Sequence, residues 1–452
     1  MTGAPGASVL EPARRVPVLG EYDVVVLGGG PSGIAAAAAA ARSGRSTILV
    51  ERYGFLGGAG TAAGLSTFCG LYANVQGEHR RVVQGIASDI LDRLASMHAL
   101  GAPHLALGNR IQAQTYDISG YKIAAEELLL GGKVKLLYHA LGAGITRASD
   151  ERIDTLIVET KSGRGALRGR LFVDCSGDGD LAAWAGVPFE LGDGAGNMLY
   201  PTTMFRINGV DAQRAGAAWE SIPRLMEEAE ARGERRFPRR GVIIRPQRNP
   251  IEWRANLTQV KNEDGSAVNG VDAEQLSRGE TEGRRQCWDV FSFIREAAPG
   301  FEHSYIVEIA PQIGIRETRR IVGQYMLSED DILGCASFAD SIGVNGWPVE
   351  AHVAGQMVVT FPHPGGRGFN QLPYRMIVPS RVDNLLVTGR CASMTHGGQS
   401  SARVSGPCFV MGQAAGTAAD ISLSTGLPPR ALDVAALQGR LAGDGAFLGS
   451  QR

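Results

Sequence analysis

Three glycines spaced G-x-G-x-x-G (Gly28, Gly30 and Gly33) and a carboxylate at Glu51 form the most chemically specific pattern in this 452-residue chain. The first glycine permits a tight turn, the second lets backbone approach a pyrophosphate, and the third lets a helix pack closely on a strand. Pro31 and Ser32 lie inside the same turn and are assigned to the same binding site. Glu51 falls where an acidic side chain accepts hydrogen bonds from a ribose diol, favouring an unphosphorylated ribose, as in NAD or the adenosine half of FAD. Six scattered cysteines include no C-x-x-C pair, so neither a redox dithiol nor a zinc site is expected. The aspartates of VDCSGDGD, residues 173–180, follow a strand and lack the spacing of a calcium loop, so no metal is expected there either.

The elements that must position these groups are legible from periodicity. Tyr22 to Leu27 reads as a strand buried on both faces, Ile34 to Arg42 as an alanine-rich helix, and Thr47 to Val50 as the next strand. Helices are expected over 80–100, 123–130, 217–232 and 284–298, and strands over 134–138, 152–160, 171–174 and 384–388. A last helix runs from Pro407 to Leu423, with Ser405 or Gly406 as its N-cap. From 187 to 373 glycine thins out while aromatics and arginines rise. Within that stretch, ERRFPRRGVIIRPQR reads as a solvated surface or, less favoured, an anion or partner site. Arg316, Glu317, Arg319 and Arg320 read as an interface network or a carboxylate clamp, the structural role being preferred.

The length allows two or three domains. A formal net charge of −1 gives no support to a nucleic-acid or anionic-membrane partner. The first twenty residues lack the basic and apolar regions of a secretory signal, and no run is long and apolar enough to span a bilayer, so a cytoplasmic protein is expected.

Beyond Glu51-Arg52, the pair Gly57-Gly58 resembles the second signature of two-dinucleotide-binding-domain flavoproteins, and VDCSGDGD resembles their A-T-G-type segment. With IRETRR and NLLVTGRCASMTH…GQAAGTAA, the chain resembles, from about residue 20 to 425, the FAD-dependent oxidoreductases with the glutathione-reductase-type FAD fold. The resemblance implies an α/β protein, a Rossmann-like FAD-binding domain with an inserted α+β substrate domain. The implied division is 1–19 disordered lead-in, 20–186 FAD-binding domain, 187–373 substrate or cap domain, and 374–452 the remainder of the FAD domain. It also implies FAD on the Gly28–Gly33 turn, Glu51, Arg52, Gly57 and Gly58, with Ser176, Gly177 and Asp178 beside it. Gly389 and Arg390 would approach the pyrophosphate or ribityl chain, with the ring near His396, Val404 and Cys408. Gly389-Arg390 stands where aromatic hydroxylases carry Gly-Asp, which lowers a monooxygenase reading.

No second glycine fingerprint lies between 187 and 380, so an internal NAD(P)H domain is not expected. The chain is therefore read as a dehydrogenase or oxidase taking hydride from a small organic substrate, at a C–H next to N or O or in a C–C desaturation, with oxygen or another acceptor downstream. His396 is the first candidate for proton transfer, Arg403 for a phosphate or carboxylate partner, and Cys69 for a covalent anchor or reactive thiol. The alternatives are a monooxygenase or reductase using external NAD(P)H, and a non-catalytic flavin-bearing subunit; oligomerisation is left open.

Overall fold

The computed structural model describes residues 8–449. The expected lead-in falls partly outside them, over residues 1–7, and its last two residues are sheet rather than disordered. Strand β1 spans Val18–Leu27 because Val18 already pairs with Ala166, whose N–H donates to the Pro17 carbonyl at 2.9 Å. Helix α1 (Pro31–Arg42) follows, with Pro31 in its first turn and Gly30 as N-cap, and then β2 (Thr47–Val50). The helix expected over 80–100 is shorter. Residues 78–81 form a strand, and Gly85, at φ +66°, starts α2 (Ile86–Ser96). Helix α3 (Ile118–Gly131) is capped by the Asp117 carboxylate, which accepts from the Gly120 N–H at 2.8 Å. Four strands follow: β3 (Lys135–Leu137), β4 (Leu141–Ser149), β5 (Arg152–Thr160) and β6 (Gly163–Asp174).

β3, β2, β1 and β6 lie side by side and parallel; β5 pairs antiparallel with the first half of β6, and β4 antiparallel with β5. The valine run of β1 divides between two faces as strand geometry requires. Val24 and Val26 face the core shared with α1, α2 and α3, while Val25 and Leu27 face a second core with Ile48, Leu156 and Phe172. Each of these fully buried side chains contributes roughly 1.5–3 kcal/mol.

A separate core is built from β7 (Phe205–Asn208), α4 (Ala218–Ala231), β8 (Ile243–Pro246), β9 (Trp253–Asn256), α5 (Ala273–Ala297) and β10 (Tyr305–Ile309). Its sheet runs β8-β9-β7-β10, antiparallel throughout, with Trp253, Phe291 and Phe301 at its centre. Helix α5 begins well before residue 284. A Cβ on Gly283 would lie 2.0 Å from the Thr203 hydroxyl, so the first half packs through glycine and carries no apolar stripe to read.

The inserted stretch 187–373 does not share one core. The unit around Phe205–Phe301 has its own, whereas Leu327, Ile332, Val349 and Leu372 join the first core beside the parallel sheet. With them come β11 (Ser341–Asn345) and β12 (Val349–Val353). β13 (Leu385–Val387) then pairs parallel with the last residues of β6. Two helices close the site: α6 (His396–Ala402) and α7 (Ser405–Thr425). The N-cap of α7 is Val404, not Ser405 or Gly406, because the Ser405 hydroxyl is turned to the Cys69 backbone, accepting from its N–H at 2.9 Å. Helices α1 and α7 meet backbone to backbone: a Cβ on Gly412 would be 2.1 Å from the Ser32 carbonyl oxygen, and one on Gly416 2.2 Å from that of Ala36. Among the described residues, no helix is long and apolar enough to cross a membrane.

Candidate functional site

One cavity runs from the end of β1 to the inserted sheet and gathers most of the residues singled out by the sequence. At its first end, Gly28 has φ +101°, and a Cβ there would lie 2.3 Å from the Cys175 carbonyl oxygen. Gly33 is more tightly held, its missing Cβ 1.8 Å from the Gly28 oxygen. Gly30 differs. The nearest atom to a Cβ there is the Gly58 Cα at 3.7 Å, so its open side is cavity rather than protein. The N-terminus of α1 has no side-chain cap, leaving its first N–H groups to a ligand, and Pro31 and Ser32 line the cavity beside it. Such a cradle fits a pyrophosphate.

Glu51 is 6% exposed, and its two carboxylate oxygens accept from Gly29 N–H at 2.7 Å and Tyr53 N–H at 3.0 Å. Burial pushes its pKa up against those hydrogen bonds. Arg52 and Gly58 also line the cavity, whereas Gly57 sits behind, donating its N–H to the Gly29 carbonyl at 2.8 Å.

Along the middle, Ser176, Gly177, Asp178, Gly389 and Arg390 line the cavity together. Arg390 is ion-paired to Asp178 at 2.8 Å, and Thr318 donates to the same carboxylate at 2.7 Å, so this guanidinium ties two turns together. Val404 and Cys408, at the start of α7, line the next stretch. Cys69 lines it too, but burial pushes its thiol up to about 12, far from a thiolate.

The far end is a polar chamber that the sequence reading did not assemble. Arg316, Arg403, Glu350, His352 and Asn256 line it. The Arg316 guanidinium donates to the Tyr200 carbonyl at 2.5 Å, and that of Arg403 to the Glu350 carbonyl at 3.3 Å. Glu350 accepts from Trp347 Nε1–H at 2.9 Å and from His352 Nε2–H at 2.6 Å. The neighbouring positive charges and His352 hold the Glu350 carboxyl below its usual range despite desolvation. His352 is 2% exposed, and burial followed by the charge of Arg316 pushes its pKa down. It is therefore a neutral imidazole whose Nδ1 lone pair has no hydrogen-bond partner among the described residues. A signal for this pair was present in the chain: Glu350 and His352 are two apart on a strand, hence on one face.

His396, expected at the ring, does not line the cavity. It opens α6 with its Nδ1 2.9 Å from Glu317, a fully buried carboxylate that also receives Arg320 and the Leu199 N–H. Arg319 pairs with Asp180 at 2.9 Å. The cluster at 316–320 thus divides, with Arg316 in the chamber and Glu317, Arg319 and Arg320 in structural pairs.

Comparison with known proteins identifies a family. The family described as FAD-dependent oxidoreductase matches residues 23–441. No curated protein matches the sequence. Among solved structures, a p-nitrophenol 4-monooxygenase from Pseudomonas putida is similar at 13% identity and TM-score 0.49, over 96% of this chain and 90% of that one. A geranylgeranyl bacteriochlorophyll reductase-like protein from Thermoplasma acidophilum is similar at 13% identity and TM-score 0.48, over 94% of this chain and 84% of that one.

Proposed function

This chain belongs to the FAD-dependent oxidoreductase family, and we propose that it takes hydride directly from a small organic substrate, at a C–H next to N or O or in a C–C desaturation. The observation that carries the reading is the continuity of one cavity, from the Gly28–Gly33 turn to the chamber at Glu350 and His352. The cofactor is FAD. In this reading the α1 N-terminus and Gly30 receive its pyrophosphate, Glu51 its ribose, and the stretch at Val404 and Cys408 its ring. When bound, FAD supplies the two-electron acceptor for the hydride.

The chain's own residues do the rest. His352 accepts the proton released as the substrate is oxidised, at Nδ1, while Nε2–H stays on Glu350. The Glu350 carboxylate fixes that tautomer and stabilises the imidazolium as it forms. Arg316 and Arg403 orient the substrate against the pair, and the buried walls, including Met204 and Phe68, keep water away.

The test is anaerobic mixing of the holoenzyme with candidate donors. Loss of the visible flavin band with substrate alone, and its return with an electron acceptor, is the expected result. A band that is lost only on adding NAD(P)H would overturn direct hydride transfer from substrate.

A further inference from the structure

The chamber, lined by Arg316 and Arg403, and the buried layer behind it, with Arg239 and Arg254, together hold more positive than negative charge. Arg239, Arg254 and Arg316 are 3%, 5% and 7% exposed, and Arg403 stands beside them. Arg239 and Arg403 act electrostatically on Arg316, and Arg239 also on His352. Arg254 acts on Cys69 and Tyr116, which line the same cavity. Glu350 is the carboxylate acting on all of Arg239, Arg316 and Arg403. No carboxylate is among the groups acting on Arg254, and among the described residues its side chain donates to the Met204 sulfur at 3.8 Å. With His352 neutral, three of these guanidiniums share the Glu350 carboxylate, and Glu317, already engaged by Arg320 and His396, acts on Arg403 besides.

Buried charges are stable when paired, and removing them from water without a partner is expensive. Here the pairing is incomplete. Among the described residues, the Nε atoms of Arg239, Arg254 and Arg403 and the Nδ1 of His352 have no hydrogen-bond partner. Arg316 has a backbone carbonyl and no carboxylate. The Gly28 turn and the α1 N-terminus, the cavity's phosphate cradle, belong to a different segment of its wall. The chamber therefore carries more buried positive charge than its own carboxylate, Glu350, offsets.

Resting on the hydride-transfer reading above, we propose that the substrate is an organic acid whose carboxylate binds at Arg316 and Arg403, with Arg239 and Arg254 supplying the surrounding positive field. A planar carboxylate suits the guanidinium fork, which donates two parallel hydrogen bonds to it. Held there, the substrate would present a neighbouring C–H to the cofactor, and the O–H, N–H or adjacent C–H proton released with the hydride to His352 Nδ1.

The experiment is a titration of the FAD-loaded enzyme with acetate, benzoate and succinate, each against its neutral amide, read from the flavin difference spectrum rather than from turnover. Expected are saturable changes with one or more carboxylates, none with the amides, and dissociation constants raised about tenfold or more by Arg316→Gln and by Arg403→Gln. Arg316→Lys, which keeps the charge but not the fork, should fall between. FAD content is measured for each variant. Equal responses to acids and amides, no saturable response to any acid, or a response to inorganic phosphate alone would overturn the proposal. So would loss of FAD from the arginine variants with unchanged carboxylate affinity in the fraction that retains it, which would assign the charge to the cofactor. Bleaching by a neutral alcohol or amine in an enzyme that binds no carboxylate overturns the acid substrate and leaves hydride transfer standing. Saturable acid binding in an enzyme that no donor bleaches supports the anion site and removes the hydride-transfer reading instead.

Discussion

Two histidines compete for the proton, and their surroundings separate them. His396 has a charged partner in the buried Glu317 and lies off the cavity wall. His352 has a free lone pair on that wall and a carboxylate behind it. Replacing His352 with Gln should slow anaerobic flavin bleaching by about 10²–10⁴-fold, the usual range for a positioned base. His396→Leu should leave that rate unchanged and destabilise the fold by about 1–3 kcal/mol, since the Glu317 carboxylate loses a donor. Stopped-flow bleaching and urea unfolding read the two effects separately, and the reverse pattern would return catalysis to His396. Acid supplies a second check. The folded pKa of His352 lies below its unfolded value of 6.5, so as pH falls through that value the unfolded chain takes up a proton that the folded one refuses. Its contribution therefore opposes folding increasingly below pH 6.5. Wild-type stability should fall more steeply than that of His352→Gln between pH 7 and 5, by up to about 1.4 kcal/mol per pH unit. Parallel urea midpoints across that range would contradict it.

The turn between β1 and α1 uses its glycines in two different ways. At Gly33 the missing side chain is filled by the Gly28 carbonyl, whereas at Gly30 it faces the cavity. Gly33→Ala should accordingly destabilise the protein by several kcal/mol or prevent folding, as expected of a backbone clash. Gly30→Ala should leave the unfolding midpoint of the apo-protein unchanged and weaken FAD binding about tenfold or more, measured by flavin fluorescence titration. Equal stability losses in the two would mean that Gly30 also serves packing. These glycines, with β1, α1, β2 and Glu51, were legible because their signal is local: a turn, a helix start and a strand end within one stretch of chain. The α7 N-cap was misread because a contact with Cys69, far away in sequence, decides it. The chamber was illegible for the same reason. Arg254, Arg316, Glu350 and Arg403 come from separate segments, and an arginine-rich run looks alike in sequence whether it is solvated or folded inward. Arg239 is buried, whereas Arg240, its neighbour in that run, is exposed.

At the level of the molecule, the cavity lies across two hydrophobic cores, one around the parallel sheet and one around Trp253 and Phe291. Its walls take Gly30, Glu51 and Cys408 from the first region, Asn256 from the antiparallel sheet and Met204 from the residue just before β7. A ligand that touches both walls binds only when both regions are folded, so it couples their stabilities. Free FAD at a hundred times its dissociation constant adds about 2.7 kcal/mol. Without it, a unit with a core of its own is able to unfold apart from its neighbour. The tryptophans distinguish the regions: Trp219, Trp253 and Trp288 lie in α4, β9 and α5, and only Trp184 and Trp347 lie elsewhere. Urea unfolding of the apo-protein should therefore give different midpoints by tryptophan fluorescence and by far-ultraviolet circular dichroism. Saturating FAD should raise both midpoints and bring them together. Coincident midpoints in the apo-protein would mean that contacts between the cores, rather than the coenzyme, already join them into one cooperative unit.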